Sequence, residues 1–241
     1  MKLTVLGSSS SGNGYVIQSQ SEAIIVEAGM PLITAKKALH FDIMKVAACL
    51  ITHEHGDHAK YAIDYSQVFP TFAPESVITA KRLKGAFEAK PLVKQQAGRF
   101  TILPFMAHHD VPCVGYIIGH PDMGSLMFLT DSFMCEYSFK GLGHVMLECN
   151  YTDRALGYAI DNGITPFWEK KRLMTTHMEL QTTKKVLLNQ ELSGVNTITL
   201  IHMSGRNSDK NEIMAELSGI SGKPIVIADK GLTLDLNLSP Y

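Results

Sequence analysis

The segment ITHEHGDHAK, residues 51–60, sets His53, His55, Asp57 and His58 within six consecutive positions, with Gly56 among them. Imidazole nitrogens and carboxylate oxygens are ligands for zinc and also suit manganese or iron. Solvation alone does not call for four such groups at one bend, so the spacing predicts a metal site. Further donors stand in comparable places. Asp131 follows GSLMFLT, His202 follows NTITLI, and His108 and His109 follow RFTILPFMA. Spacing alone does not choose between His108 and His109. His40, His120 and His144 stand outside this pattern and read as structural or surface histidines.

The apolar runs that carry these donors read as strands. KLTVL (2–6), YVIQ (15–18) and AIIVEAG (23–29) predict a hairpin-like opening. MPLITAKKALH (30–40) has helical spacing, and VAACLIT (46–52) is a strand that runs directly into His53. A helix is expected to start close to Asp57. VFPTFA (68–73) reads as a strand and SVITAKRLKG (76–85) as a helix ended by Gly85. Strands are expected at 98–105, 115–120, 124–130, 144–149, 196–201 and 223–229, and helices at 153–163, 179–192 and 208–219. Strand ends give a rigid support with an open side, which is where ligands belong in a layered fold. No linker or composition shift divides the chain, so one domain over 1–241, with two sheets and outer helices, is expected.

Bulk properties exclude several classes. The chain has 241 residues, 45% hydrophobic and 19% charged, which excludes disorder and fits a single sizeable core. No apolar run approaches the roughly 20 residues that span a bilayer, so no membrane partner is expected. The opening MKLTVLGSSSSGNG is too short in apolar residues for a signal peptide, which predicts a cytoplasmic protein. The four cysteines form no CxxC pair, and disulfides are not expected. The formal net charge is −1, and AKRLKGAFEAK (80–90) and EKKR (169–172) read as solvated helix surface. A local basic groove would still suffice for a nucleic acid. The Ser8–Gly14 loop lacks the GxxxxGK[ST] form, so no ATP site is expected. It reads first as a hairpin turn whose hydroxyls satisfy backbone groups, and second as a phosphate cradle that would make Ser8 and Ser9 substrate contacts.

The HxHxDH pattern of residues 53–58 resembles the signature of the metallo-β-lactamase superfamily. His109 in HHDVPCVGY, Asp131 in LTDS and His202 in LIHMSGRNS fit the later motifs in order, across nearly the whole chain. The resemblance implies an α+β, four-layer αββα sandwich with metals at one sheet edge. It implies two divalent metal ions per subunit, zinc or manganese. His53, His55 and His109 would hold the first, and Asp57, His58 and His202 the second, with Asp131 bridging. The family pattern favours His109 over His108, and Glu54 falls outside the ligand set. GSSSSGNGYVI, HDVPCVGY, LECNY and THMELQT further resemble a small bacterial and phage subgroup related to ribonucleases J and Z. That subgroup implies a metal-dependent phosphodiesterase, first a DNA exonuclease and second a cyclic-nucleotide phosphodiesterase. It also implies catalytic roles for Asp57 and His177, and a homodimer. Where the family often has Leu-Ser after the latter histidine, this chain has Met178 and Glu179. A lactamase or thioesterase, and a binding protein with an impaired site, are the remaining readings. Glu148 and Asn150 are candidates to orient a ligand histidine. Arg206 is a candidate phosphate contact, and Arg172 a weaker one.

Overall fold

The computed structural model describes residues 1–220 and 222–238. Six strands open the chain: β1 (Lys2–Gly7), β2 (Gly14–Gln18), β3 (Ala23–Val26), β4 (Val46–Leu50), β5 (Thr71–Ala73) and β6 (Phe87–Glu88). Seven follow: β7 (Gln95–Ala97), β8 (Phe100–Ala107), β9 (Cys113–His120), β10 (Gly124–Leu129), β11 (Leu142–Glu148), β12 (Thr197–Ile201) and β13 (Ile225–Ile227). The last, β14 (Thr233–Asp235), returns to the edge of the first sheet. The two seven-stranded sheets run in the orders β14-β1-β2-β3-β4-β5-β6 and β13-β12-β11-β10-β9-β8-β7.

Each sheet is antiparallel on one side and parallel on the other. β3, β4, β5 and β6 pair in parallel in the first, as do β10, β11, β12 and β13 in the second. Parallel neighbours need crossovers, and helices supply most of them. The helices are α1 (Leu32–Ala38), α2 (Gly56–Ala59), α3 (Ala62–Ser66), α4 (Glu75–Lys81), α5 (Asp153–Asp161), α6 (Phe167–Thr176), α7 (Leu180–Leu188) and α8 (Lys210–Leu217).

Three apolar layers hold the sandwich. Between the sheets, Leu3, Tyr15, Ile17 and Leu50 meet Phe100, Tyr116, Ile118 and Phe128, all fully buried. Outside the first sheet, Ala35 and Leu39 beside α1 and Ala62 and Tyr65 of α3 pack on Val16, Ile25 and Cys49. Outside the second, Val186 and Leu187 of α7 and Ile213 and Leu217 of α8 pack on Val145, Leu147 and Ile198. The result is the αββα order expected from the sequence.

Local expectations hold with adjustments that have physical causes. The helix near Asp57 splits into α2 and α3, and Asp57 sits in the first turn of α2. α4 ends at Arg82, which itself takes the left-handed conformation (φ 53°), rather than at Gly85. Pro70 precedes β5, so only Thr71–Ala73 of the 68–73 run pairs. α6 was not expected from the sequence: Phe167 and Trp168 are 76% and 73% exposed while Glu169 is 8% exposed, the reverse of an amphipathic signal.

Candidate metal centre and its cleft

Parallel strands end together at one rim, and the chain places its polar groups there. Glu27 follows β3, Thr52 and His53 follow β4, Asp131 follows β10, Glu148 ends β11 and His202 follows β12. Registers such as Val26↔Leu50, Leu129↔Leu147 and Glu148↔Ile201 bring these ends level. Glu27, Asp131 and His202 have positive φ of 72°, 49° and 53°. Three non-glycine residues in the left-handed region at one rim mark backbone strain spent on aiming side chains.

The donors fall into two groups that share Asp131. In the first, ligand atoms of His53, His55, His109 and Asp131 lie within 4.8 Å of one another; in the second, those of Asp57, His58, Asp131 and His202 do so. The resemblance assigns the same residues to two metals, with Asp131 between them. His53 Nε2 is 3.5 Å and His109 Nε2 3.7 Å from Asp131 Oδ2. His58 Nε2 is 3.4 Å from the same oxygen, and Asp57 Oδ2 is 3.3 Å from both His58 Nε2 and His202 Nε2. His109, not His108, joins the cluster; His108 is turned toward Glu136 at 3.7 Å. Glu54 makes no contact with it among the described residues and lines a separate hollow with Pro112.

His53, His109 and His202 are each held through Nδ1. His109 Nδ1–H donates to the Thr176 carbonyl at 2.9 Å. Thr52 Oγ1 donates to Glu27 at 2.6 Å and meets His53 Nδ1 at 2.9 Å. Glu27 also lies 3.4 Å from His58 Nδ1. One buried carboxylate thus orients the His53 ring through Thr52, as carboxylates orient metal-ligating histidines, and faces the His58 ring as a charge without a hydrogen bond to it. On the other side Glu148 lies 2.7 Å from His177 Nδ1 and 3.1 Å from His202 Nδ1. It also accepts from the backbone N–H of Ser132 and Met178, so its oxygens are fully engaged. Glu148, His177, His202 and Asp131 form a third compact group, but Glu148 serves there as an orienting carboxylate. Asn150 Nδ2 donates to the His202 carbonyl at 2.8 Å.

Burial works against charge on Asp57 and Asp131, yet hydrogen bonds and charge from His202 and His58 hold both well below the usual carboxylate range. Burial depresses His53 and His109, which keeps them neutral. Burial opposes protonation of His58 and His202 too, but the charge of Asp131 and neighbouring carboxylates raises both. His53 Nε2, the nitrogen that faces Asp131, is buried without a hydrogen-bond partner. A buried donor atom left unpaired among Asp57, Asp131, Glu27 and Glu148 fits a cation, since the carboxylates concentrate negative charge where the imidazole lone pairs point.

The cluster floors a cleft of about 520 Å³, whose walls include Ser9, Ser11, His177, Arg172 and Arg206. Of the two serines expected as contacts, Ser9 reaches the cleft wall. Ser8 Oγ is engaged instead, 2.8 Å from Tyr15 Oη, and it accepts from the His202 N–H at 2.9 Å. The loop joins the antiparallel pair β1 and β2 and is a hairpin, with Ser9 Oγ accepting from the Ser11 N–H. Glu27 and Asn13 are the contributors the sequence reading missed. Asn13 Nδ2 lies 3.0 Å from His58 Nε2, and its backbone N–H donates to the Asp57 carbonyl. Glu27 had one available signal: it too follows an apolar strand.

Comparisons with known proteins agree on the architecture. A family model described as the metallo-β-lactamase superfamily matches residues 9–71. Among solved structures, the metallo-β-lactamase fold protein YhfI from Bacillus subtilis is similar at a TM-score of 0.72 and 17% identity, covering 97% of this chain and 98% of that one. A diphosphatase from the PhnP family gives 0.65 and 18%, over 99% of both chains. The short form of human tRNase Z gives 0.63 and 14%, over 98% of this chain and 99% of that one. No curated protein sequence matches significantly.

Proposed function

We propose that this chain, which carries the metallo-β-lactamase fold, is a dinuclear metal-dependent phosphodiesterase, acting first on nucleic-acid ends as a DNA exonuclease. The single observation that carries the reading is the pair of donor groups sharing Asp131 at the floor of an open cleft. Two of the structural neighbours are, by name, a diphosphatase and a tRNase, which supports a phosphorus ester as the substrate. His53, His55 and His109 would hold one divalent ion, zinc or manganese, and Asp57, His58 and His202 a second, with Asp131 between.

Bound ions would supply an acidified water and positive charge for the phosphate oxygens. The chain's own groups do the rest. Asp57, held ionised and 21% exposed at its side chain, takes the proton of the attacking water. His177 is fixed through Nδ1 by Glu148, so Nε2 meets the leaving oxygen and delivers a proton to it. Ser9 steadies a phosphate oxygen from the opposite wall. Glu27 and Glu148 keep the rings aimed while substrate enters and leaves.

A second reading, a cyclic-nucleotide phosphodiesterase, is favoured by the cleft's volume, which lies in the range of small-molecule sites. The test offers duplex DNA, single-stranded DNA, RNA and cyclic mononucleotides to manganese- or zinc-loaded protein, side by side. Release of mononucleotides from DNA supports the first reading; turnover of cyclic nucleotides alone would replace it with the second. All four cysteines are free, as suits a reducing cytoplasm. Among the described residues no helix is long and apolar enough to cross a membrane. We also infer a homodimer, on the exposed apolar side chains Tyr158, Ile164, Phe167 and Trp168 around α5 and α6. Sedimentation velocity at micromolar concentration tests it, with a monomer as the contrary result.

A further inference from the structure

The cleft has a second wall that the metal cluster does not explain. Arg172 of α6 and Arg206, which follows β12, both reach Glu169 Oε1, at 3.3 and 3.0 Å. All three residues line the cleft. One carboxylate between two guanidinium groups leaves one positive charge uncompensated. Glu169 is 8% exposed and anchored, whereas both arginine side chains are 52% exposed. The acid therefore holds the two cations in place without covering them. Each guanidinium uses Nη2 for this contact and keeps other N–H donors in hand.

A second observation comes from the neighbouring residue. Asn207 lines the same cleft and is 1% exposed. Its Oδ1 accepts from the Thr165 hydroxyl at 2.6 Å, but its Nδ2 has no hydrogen-bond partner. A buried amide donor left unpaired, in the residue next to Arg206 and lining the same cleft, lacks the acceptor that buried donors normally have. Two forked cations and one amide N–H make a set suited to a tetrahedral oxyanion.

We propose that Arg172, Arg206 and Asn207 form an anion subsite for a second phosphate of the substrate, apart from the phosphate cut at the metal cluster, with Glu169 as its fixed counter-ion. This rests on the phosphodiesterase reading and sharpens it. A strand end or a nucleoside bisphosphate carries a second phosphate, and a cyclic mononucleotide does not.

The test is equilibrium binding, not turnover. Calorimetry on the metal-loaded full chain compares thymidine 3′,5′-bisphosphate with thymidine 5′-monophosphate. The bisphosphate should bind about tenfold more tightly, the range of one charge-assisted contact. In Arg172→Gln/Arg206→Gln the ratio should fall toward one, and in Arg206→Lys it should fall part of the way. Glu169→Gln, which removes the counter-charge, should widen it. The dinucleotide pTpT, titrated into the slow His177→Ala chain so that it is not consumed, separates the sources: binding like the bisphosphate assigns the subsite to the next phosphate of a strand, and binding like the monophosphate assigns it to a terminal phosphate. A ratio near one in the unaltered protein, or a ratio that survives in the double variant, overturns the subsite. Thermal melts of the variants verify that the substitutions at the two half-exposed arginines and at the buried Glu169 leave the fold intact. Because the ratio needs no catalysis, absence of diester hydrolysis would count against the functional reading and leave this result standing.

Discussion

At the scale of single residues, the centre divides labour between groups that hold and groups that act. The proposed mechanism makes His177 the acting group, with its Nδ1 tied to Glu148 at 2.7 Å. His177→Ala should lower kcat for a diester roughly 10²–10⁴-fold, the usual range for a positioned acid or base, while metal content measured on the purified protein stays unchanged. Asp57→Ala should abolish turnover and also weaken metal binding, because Asp57 stands in both roles. His144 lies outside the site and tests the electrostatics of the fold. Burial lowers it to about 4, against about 6.5 when unfolded. The unfolded chain then binds more protons between those values, so His144 contributes stability above about pH 6.5 that is lost as pH falls toward 4. His144→Gln should remove that part of the acid slope, on the order of 2 kcal/mol, when denaturant midpoints of the two proteins are compared from pH 7 to 4.

The clustered donors were readable because metal chemistry restricts the side chains, and strand ends restrict the places. His53, Asp131 and His202 each follow an apolar run, and they converge because the parallel registers level those ends. Glu27 carries little signal in sequence, because a glutamate after the apolar residues of AIIVEAG looks like an ordinary strand boundary. Its worth depends on Thr52 and His58, which only the pairing of β3 with β4 brings to it. The Arg172 and Arg206 pair was visible only as separate weak candidates, because Glu169, which joins them, lies on a helix without an amphipathic pattern.

At the scale of elements, the loop after β3 locks the metal segment against the serine hairpin. A Cβ on Gly29 would stand 1.7 Å from the Asp57 carbonyl oxygen and 2.7 Å from the Asn13 nitrogen. Gly29→Ala must push α2 away from the hairpin. A loss of roughly 3 kcal/mol in chemical denaturation is expected, with weakened metal uptake, because overpacking between backbones cannot relax through a side chain. β6 and β7 stand in no apolar or alternating run that would mark them as strands, whereas β14 lies in the alternating run LTLDLNL (232–238), a signal the sequence reading left unused.

For the whole molecule, two sheets share one apolar core, and the candidate ligands come from both. His53, Asp57 and His58 follow the first sheet, and His109, Asp131 and His202 the second. Cations at the seam would therefore clamp the sandwich. Manganese at a hundred times its dissociation constant should add about 3 kcal/mol of stability per site, seen as a rise in melting temperature that chelator reverses. The most direct measurement titrates manganese into chelated protein while following diester hydrolysis and bound metal together. Activity should climb to a break at two equivalents per chain and stay at background in Asp57→Ala. A break at one equivalent, or turnover that persists in chelator, would contradict a dinuclear site shared through Asp131.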